Sequence, residues 1–148
     1  AATLASIPSP CDGKVAGIGT WTQGALLRAT TLITDQRALF MEDPAMAPYY
    51  RIVLITDGEW TDSTGSMKLA PAPQNPALAA TDLLANHNVK THVIGIGEAV
   101  NKPFADELAA AGGTVAAIDA TQESFTQALQ QVFAAIDADG IIPADCSQ

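Results

Sequence analysis

Residues 51–60 read RIVLITDGEW, and their pattern of apolar and acidic residues predicts the fold class. The run 52–55 is apolar without a polar break, so neither face of this segment is expected to meet water. A central strand of a parallel sheet, covered by helices on both sides, has this pattern. Asp57 and Glu59 follow at the carboxyl end of the strand, where open α/β sheets place their ligands. We therefore expect a functional site at this end of the sheet.

The remaining chain predicts an alternation of helices and strands. Helical periodicity covers 22–40, 77–85 and a short segment ended by Gly112 and Gly113, while strands are predicted at 51–56, 89–96 and 114–119. A last helix should begin after Thr121 as its N-cap, with a buried stripe formed by Phe125, Leu129, Val132, Phe133 and Ile136. Such alternation indicates parallel strands joined by right-handed crossovers. We predict a Rossmann-like α/β fold, an open parallel sheet flanked by helices.

Length and composition fit one globular domain. The chain has 148 residues, 48% of them apolar, and a formal net charge of −9. This charge disfavours nucleic acid and anionic lipid as partners, and no run is long enough to span a membrane. We divide the domain into a loop or strand remnant at 1–19, an α/β core at 20–136 and a carboxyl-terminal tail at 137–148.

The two cysteines, Cys11 and Cys146, lie near opposite ends of the sequence. They are either two unrelated thiols or one disulfide, and the polar tail DADGIIPADCSQ favours the disulfide because it is unsuited to bury a lone thiol. A loop of this length would stabilise the fold by about 4–5 kcal/mol in the chain-entropy model. A disulfide would imply an oxidising compartment and therefore export, to the periplasm, the cell surface or the medium.

Three stretches together resemble the von Willebrand factor A domain: GIGTWTQGALLRAT at 17–30, RIVLITDGE at 51–59 and VKTHVIGIG at 89–97. In that family a divalent cation, usually Mg²⁺, lies above the sheet at a metal-ion-dependent adhesion site. The resemblance implies that Thr20 is the loop threonine of that site and Asp57 its aspartate. Mg²⁺ takes six oxygen ligands and keeps waters where the protein supplies few. Mn²⁺ and Ca²⁺ are the alternative ions for this site.

The first loop of the family, D-x-S-x-S, has no counterpart before Thr20. Its strand would normally pair beside the segment 51–56, and without it an apolar strand would become a bare sheet edge, which natural proteins avoid. We therefore expect this chain to be the carboxyl-terminal portion of such a domain, with the first strand and remaining donors supplied by a preceding segment. The cation would then need residues outside this chain.

The stretch DSTGS at 62–66 imitates the missing loop. Asp62, Thr64 and Ser66 are candidates for a secondary metal loop that would take calcium, but they follow a turn instead of an apolar strand. A solvated loop is the simpler interpretation. Trp21, Glu59 and Trp60 flank the proposed site; they either pack under the loops or form a ligand rim, with the two aromatic rings as a platform.

Two functions from different classes remain open on the sequence. The first is a metal-dependent adhesion or protein-binding module, in which an acidic residue of a protein ligand completes the cation site. The second is a structural or assembly subunit with a degenerate metal site. Enzymatic activity is not expected: no G-x-S-x-G occurs, and His87 and His92 read as a helix-end residue and a packed strand residue. GIGTWTQG also departs from the dinucleotide-binding G-x-G-x-x-G spacing.

Overall fold

The computed structural model describes residues 20–40, 48–57, 59–65, 72–97, 101–121 and 124–139. Within these ranges helices and strands alternate, which confirms the α/β class. The elements are α1 (Thr22–Ala38), β1 (Arg51–Thr56), a 3₁₀ turn (Ala72–Gln74), α2 (Pro76–His87), β2 (Lys90–Gly95), α3 (Lys102–Ala111), β3 (Ile118–Asp119) and α4 (Phe125–Ala138). None of the helices in this part of the chain is both long and apolar enough to span a bilayer.

The three strands form one parallel sheet in the order β1-β2-β3. β1 and β2 pair along their whole length, from Arg51 opposite Lys90 to Thr56 opposite Gly95. β3 pairs only through its two residues, with Ile118 opposite Ile94. Among the described residues β1 pairs with β2 alone, so within this part of the chain it is an edge strand.

Helices cover both faces of the sheet and divide the core in two. α1, α2 and α3 pack on one face, in a cluster that includes Leu26, Leu83, Val93 and Leu108. α4 packs on the other face, through Ala128 and Val132 against Ile94 of β2. Val93 and Ile94 belong to different clusters because successive strand residues point to opposite faces.

Two helix starts show why the chain turns where it does. The Asn75 side chain accepts the N–H of Ala77, and Pro76 occupies the first turn of α2, where a missing N–H costs nothing. α4 begins at Ser124, whose hydroxyl accepts the N–H of Gln127 while the Gln127 side chain accepts the N–H of Ser124. The predicted cap at Thr121 is therefore wrong, since the full capping box lies three residues later.

Three burial and length predictions are also wrong. The strand predicted at 114–119 is reduced to Ile118–Asp119. The Thr114 hydroxyl bonds to the carbonyl oxygens of Ala109 and Thr91, so this part of the segment does not pair with β2 as a regular strand. On α4, the side chains of Phe125 and Phe133 are 44% and 57% exposed, although both lie on the predicted buried stripe. Ile55 of β1 is 46% exposed, so the apolar run is not covered along its whole length. An apolar pattern marks the positions that can be buried, whereas neighbouring elements decide which of them are.

Candidate functional site

The carboxyl ends of the strands meet along one edge of the sheet, which we call the rim. Asp57 follows β1, the turn 95–97 follows β2, and Asp119 ends β3. The carbonyl oxygen of Thr56 accepts the N–H of Ile96 at 2.9 Å, and that of Gly95 accepts the N–H of Ala120 at 2.9 Å. These bonds hold the three loops side by side, so polar groups that follow different strands lie on a common edge.

The loop before α1 also reaches the rim. The backbone N–H of Thr61 donates to the carbonyl oxygen of Thr20 at 2.9 Å, and the N–H of Thr22 donates to the same oxygen at 2.9 Å. Thr20 is therefore fixed beside the segment that follows Asp57. Two loops that are distant in sequence are thereby joined.

Two further hydrogen bonds connect the start of α1 and the loop after β1 to the turn before α2. The side-chain amide of Gln23, in the first turn of α1, donates to the carbonyl oxygen of Pro73 at 2.8 Å. The N–H of Ser63 donates to the side-chain oxygen of Gln74 at 2.8 Å. The start of α1, the loop after β1 and the turn before α2 are thus joined by one half-buried and one exposed hydrogen bond.

Thr20 and Asp57 both present their side chains to solvent. Within the described ranges, no hydrogen bond or ion pair of the Asp57 carboxylate is recorded. A hydroxyl and a carboxylate oxygen are the donors that a hard divalent cation prefers, so the chemistry of these two residues fits Mg²⁺. Their number does not complete a site: no group of three or more His, Cys, Asp or Glu residues that could hold a metal occurs in the described part of the chain.

The stretch 62–65 is organised as a turn. Asp62 is 8% exposed, and its Oδ1 accepts the N–H of Thr64 at 2.9 Å and the Thr64 hydroxyl at 2.6 Å. The N–H of Gly65 closes the turn on the carbonyl oxygen of Asp62 at 3.1 Å. These contacts give Asp62 a structural role and favour the loop interpretation over a second metal loop. Ser66 lies outside the described residues, as do Cys11 and Cys146.

The two tryptophans occupy different environments. Trp60 is 5% exposed and meets the ring of Phe104 edge to face, with centroids 4.8 Å apart. This placement favours packing under the loop over a place in an aromatic platform. Trp21 is 44% exposed and lies over Gly24, so its indole remains accessible at the start of α1. Glu59, which precedes Trp60 in the sequence, is half-buried.

Asp119 is a rim carboxylate that the sequence reasoning missed. Its Oδ1 accepts the N–H of Thr121 at 2.9 Å and a short bond from the Thr121 hydroxyl. Together with Gly95 and Lys102 it lines a cavity of about 10 Å³, the size of one water molecule. The sequence does indicate this position, because Asp119 stands at the end of a predicted strand, as Asp57 does at the end of β1.

One carboxylate of α3, that of Asp106, bonds to the chain that precedes β3. Asp106 Oδ1 accepts two hydrogen bonds, one from the N–H of Ala117 at 3.0 Å and one from Lys102 Nζ at 2.8 Å. The hydrogen bond from Lys102, followed by that from Ala117, lowers the pKa of Asp106. This carboxylate is thus occupied in positioning the strand that carries Asp119.

Comparison with protein-family models, with curated proteins and with solved structures found no match to this chain.

Proposed function

We propose that this chain is the carboxyl-terminal part of a von Willebrand factor A-type domain, with a Rossmann-like sheet, that binds a protein ligand through a divalent cation. Mg²⁺ is the proposed ion, with Mn²⁺ or Ca²⁺ as alternatives. Thr20 and Asp57 are its donors from this chain, and an acidic side chain of the ligand completes the coordination. No catalytic residue is proposed.

The observation that supports this function is the exposed Asp57 directly after the edge strand β1. Ligands of open α/β sheets bind beyond the carboxyl ends of the strands, where neighbouring loops diverge. The bond from Thr61 to Thr20 brings a hydroxyl-bearing loop to the same edge. Trp21 and Glu59 lie close enough in sequence to these donors to contact a bound protein ligand.

Two protein oxygens are too few to hold Mg²⁺ tightly, because the ion requires near-octahedral oxygen coordination. We propose that the missing donors come from a segment that pairs with the outer edge of β1, in the position of the family's first strand. The described residues contain no such segment. This chain by itself should therefore bind the cation only weakly, with water molecules filling the remaining positions.

The proposed location is outside the cytoplasm: secreted, periplasmic or on the cell surface. This part of the proposal depends on a disulfide between Cys11 and Cys146, which would require an oxidising compartment. Intact mass measured with and without reductant tests it directly. A gain of two hydrogens on reduction supports the bond, and an unchanged mass contradicts it.

Thermal unfolding in the presence of Mg²⁺ or Mn²⁺ tests the metal site. For the intact protein, a concentration tenfold above Kd stabilises by about 1.4 kcal/mol. In a domain of this size that corresponds to a rise in Tm of about 3–6 °C. Asp57→Ala should abolish the rise, and Thr20→Val should reduce it.

Asp35→Ala is the matched control, because it removes an exposed carboxylate of α1 away from the rim. It should leave the metal-dependent rise unchanged. An equal loss in both aspartate variants would mean that the cation responds to total charge, and the proposed site would be refuted.

A structural or assembly subunit with a degenerate metal site is the second candidate. It is favoured by the one-sided pairing of β1 among the described residues and by Phe133, which is 57% exposed. This function predicts no metal response in the wild type. It also predicts that Phe133→Glu lowers the sedimentation coefficient of the assembly, whereas Thr126→Glu, on the exposed face of α4, does not.

A further inference from the structure

A cleft of about 360 Å³ lies away from the rim, between α4 and the segment 113–116, near the start of β2. Its volume falls in the range of clefts that hold small ligands. Neither Thr20 nor Asp57 lines it. The lining residues that carry the argument are Lys90, His92, Val115, Ile118, Gln131 and Asp139.

The cleft exists because β3 begins late. The Thr114 hydroxyl bonds to the carbonyl oxygens of Ala109, at 2.9 Å, and Thr91, at 3.2 Å, and Gly113 turns with φ +80. These contacts anchor the chain at the end of α3, so regular pairing with β2 starts only at Ile118. No described strand fills the space under the second half of α4, which leaves it open.

A buried polar atom lies at this cleft. His92 is 7% exposed, and its Nε2 has no hydrogen-bond partner among the described residues. Burial lowers the pKa of His92, and the nearby Asp139 opposes part of this effect. The imidazole is therefore neutral at pH 7 and can donate or accept one bond at Nε2. A buried polar group without a partner is costly, so a ligand that satisfies it gains affinity.

The charged groups beside the cleft are unbalanced: Lys90 and Asp139 line it, and Arg51 contacts Asp139 without being a lining residue. Lys90 Nζ lies 2.7 Å from Asp139 Oδ1, and Arg51 Nη2 lies 3.7 Å from Asp139 Oδ2. Two cations thus share one carboxylate, which leaves a local excess of positive charge on a chain of net charge −9. Lys90 has three donors, of which Asp139 occupies one. An anionic group is the complement of this arrangement.

Most of the remaining lining is apolar: Val115, Ala116 and Ile118 come from the end of the segment 113–118, and Ala135 comes from α4. Thr114 and Gln131 are the uncharged polar residues of the lining. We propose that this cleft binds a small organic acid, with its carboxylate at Lys90, an uncharged polar group at Nε2 of His92 and an apolar body along Val115 and Ile118. This site is independent of the cation site proposed at the rim.

A panel of monocarboxylic acids, from acetate to 3-phenylpropionate, and their uncharged primary amides tests the chemistry. Each probe is titrated into the full chain and followed by ¹H–¹⁵N NMR. Acids with an apolar body should shift the amide signals of Lys90, His92 and Val115 in a saturable way at millimolar concentration. They should bind at least about fivefold more tightly than their amides, because only the acids pair with Lys90.

A variant of Val115 locates the binding. This side chain is 97% exposed, so its replacement should not disturb folding. Val115→Asp should weaken binding of 3-phenylpropionate by about fivefold, because it removes an apolar contact and adds a negative charge near the bound acid. Leu78→Asp adds the same charge to an exposed position of α2 and should have no effect. The proposal fails if no acid of the panel shifts these signals, if the amides bind equally well, or if Leu78→Asp matches Val115→Asp.

Discussion

The backbone N–H of Thr61 donates a 2.9 Å hydrogen bond to the carbonyl oxygen of Thr20. This single contact joins the loop before α1 to the loop after β1, although α1 and β1 lie between them in sequence. Trp60, the neighbour of Thr61, is inserted under the same junction and packs on Phe104 of α3. The position of the proposed cation donors therefore depends on the packing of an aromatic side chain that does not itself contact the ion.

Trp60→Ala should destabilise the protein strongly. Truncation of a buried tryptophan removes its apolar contacts and leaves a cavity, at a cost of about 3–5 kcal/mol. Denaturation in guanidinium chloride measures the change in free energy of unfolding. Tyr49→Ala is the control, since this aromatic side chain is 67% exposed and its loss should cost about 0.5 kcal/mol or less. Similar losses in both variants would contradict the buried role of Trp60.

Gly24→Ala should reveal the contact between Gly24 and Trp21. A Cβ atom at position 24 would lie 2.4 Å from the indole ring, so the ring must move away. Alanine in place of a helical glycine ordinarily stabilises by about 1 kcal/mol, but in the wild type we expect a net loss. In the Trp21→Ala background the same change should become stabilising.

The four proteins of this double-mutant cycle are compared by chemical denaturation. A coupling free energy near zero would show that the indole does not cover Gly24. The intrinsic fluorescence of Gly24→Ala gives a second readout, because an indole displaced into solvent emits at longer wavelength.

Ser124→Ala should destabilise α4 by about 1 kcal/mol, the usual cost of losing an N-cap hydroxyl. Its side chain accepts the N–H of Gln127 at 3.2 Å, and alanine leaves that donor without a partner. Thr126→Ala, on the exposed face of the same helix, should be neutral or slightly stabilising. Urea denaturation distinguishes the two. A larger loss in Thr121→Ala than in Ser124→Ala would move the helix start back to the position that the sequence indicated.

Acid should weaken the fold through His92. Burial lowers its pKa in the folded state below 6.5, while Asp139 opposes this effect and Arg51 and Lys90 reinforce it. The unfolded chain then binds the proton more readily, so stability is greatest above about pH 6.5 and falls as the pH drops toward the lowered pKa. His92→Gln should flatten this part of the profile, measured by urea denaturation between about pH 5 and 7.5. His87→Gln, at the partly exposed end of α2, should retain the slope.

A separate loss of stability should follow at lower pH. The hydrogen bonds from Lys102 and Lys90 lower the pKa of Asp106 and Asp139, respectively. The stability that these carboxylates contribute is present above about pH 4 and is lost as the pH falls through their lowered pKa values. If His92→Gln removed this acid limb as well, the assignment of the two pH ranges would be wrong.

Much of the architecture is readable in the sequence because local patterns specify it. The unbroken apolar run at 52–55 predicts a strand at 51–56, and a second strand is predicted at 89–96; both form with nearly the predicted bounds. Pro76 and the glycines after α3 mark where helices begin and end, since backbone conformation restricts these positions. The role of Thr20 and Asp57 as cation donors stays a prediction, which rests on the resemblance to the von Willebrand factor A domain.

Long-range contacts decide the rest. The Thr114 hydroxyl holds its segment at the end of α3 and shortens β3 to two residues, and no periodicity in the sequence encodes that bond. Phe133 satisfies a helical stripe yet is 57% exposed, because no described element covers that side of α4.

The order, type and approximate bounds of the helices and strands can be predicted from the sequence alone, because they depend on backbone preferences and on the spacing of apolar residues. Two arrangements are visible only in the tertiary structure. Thr20 lies against Thr61, and His92 of β2 lines a cleft with Asp139 at the end of α4. Each of these arrangements depends on hydrogen bonds, charge and packing between residues distant in the chain. Such relationships follow from how the elements pack in space and cannot be read from local spacing.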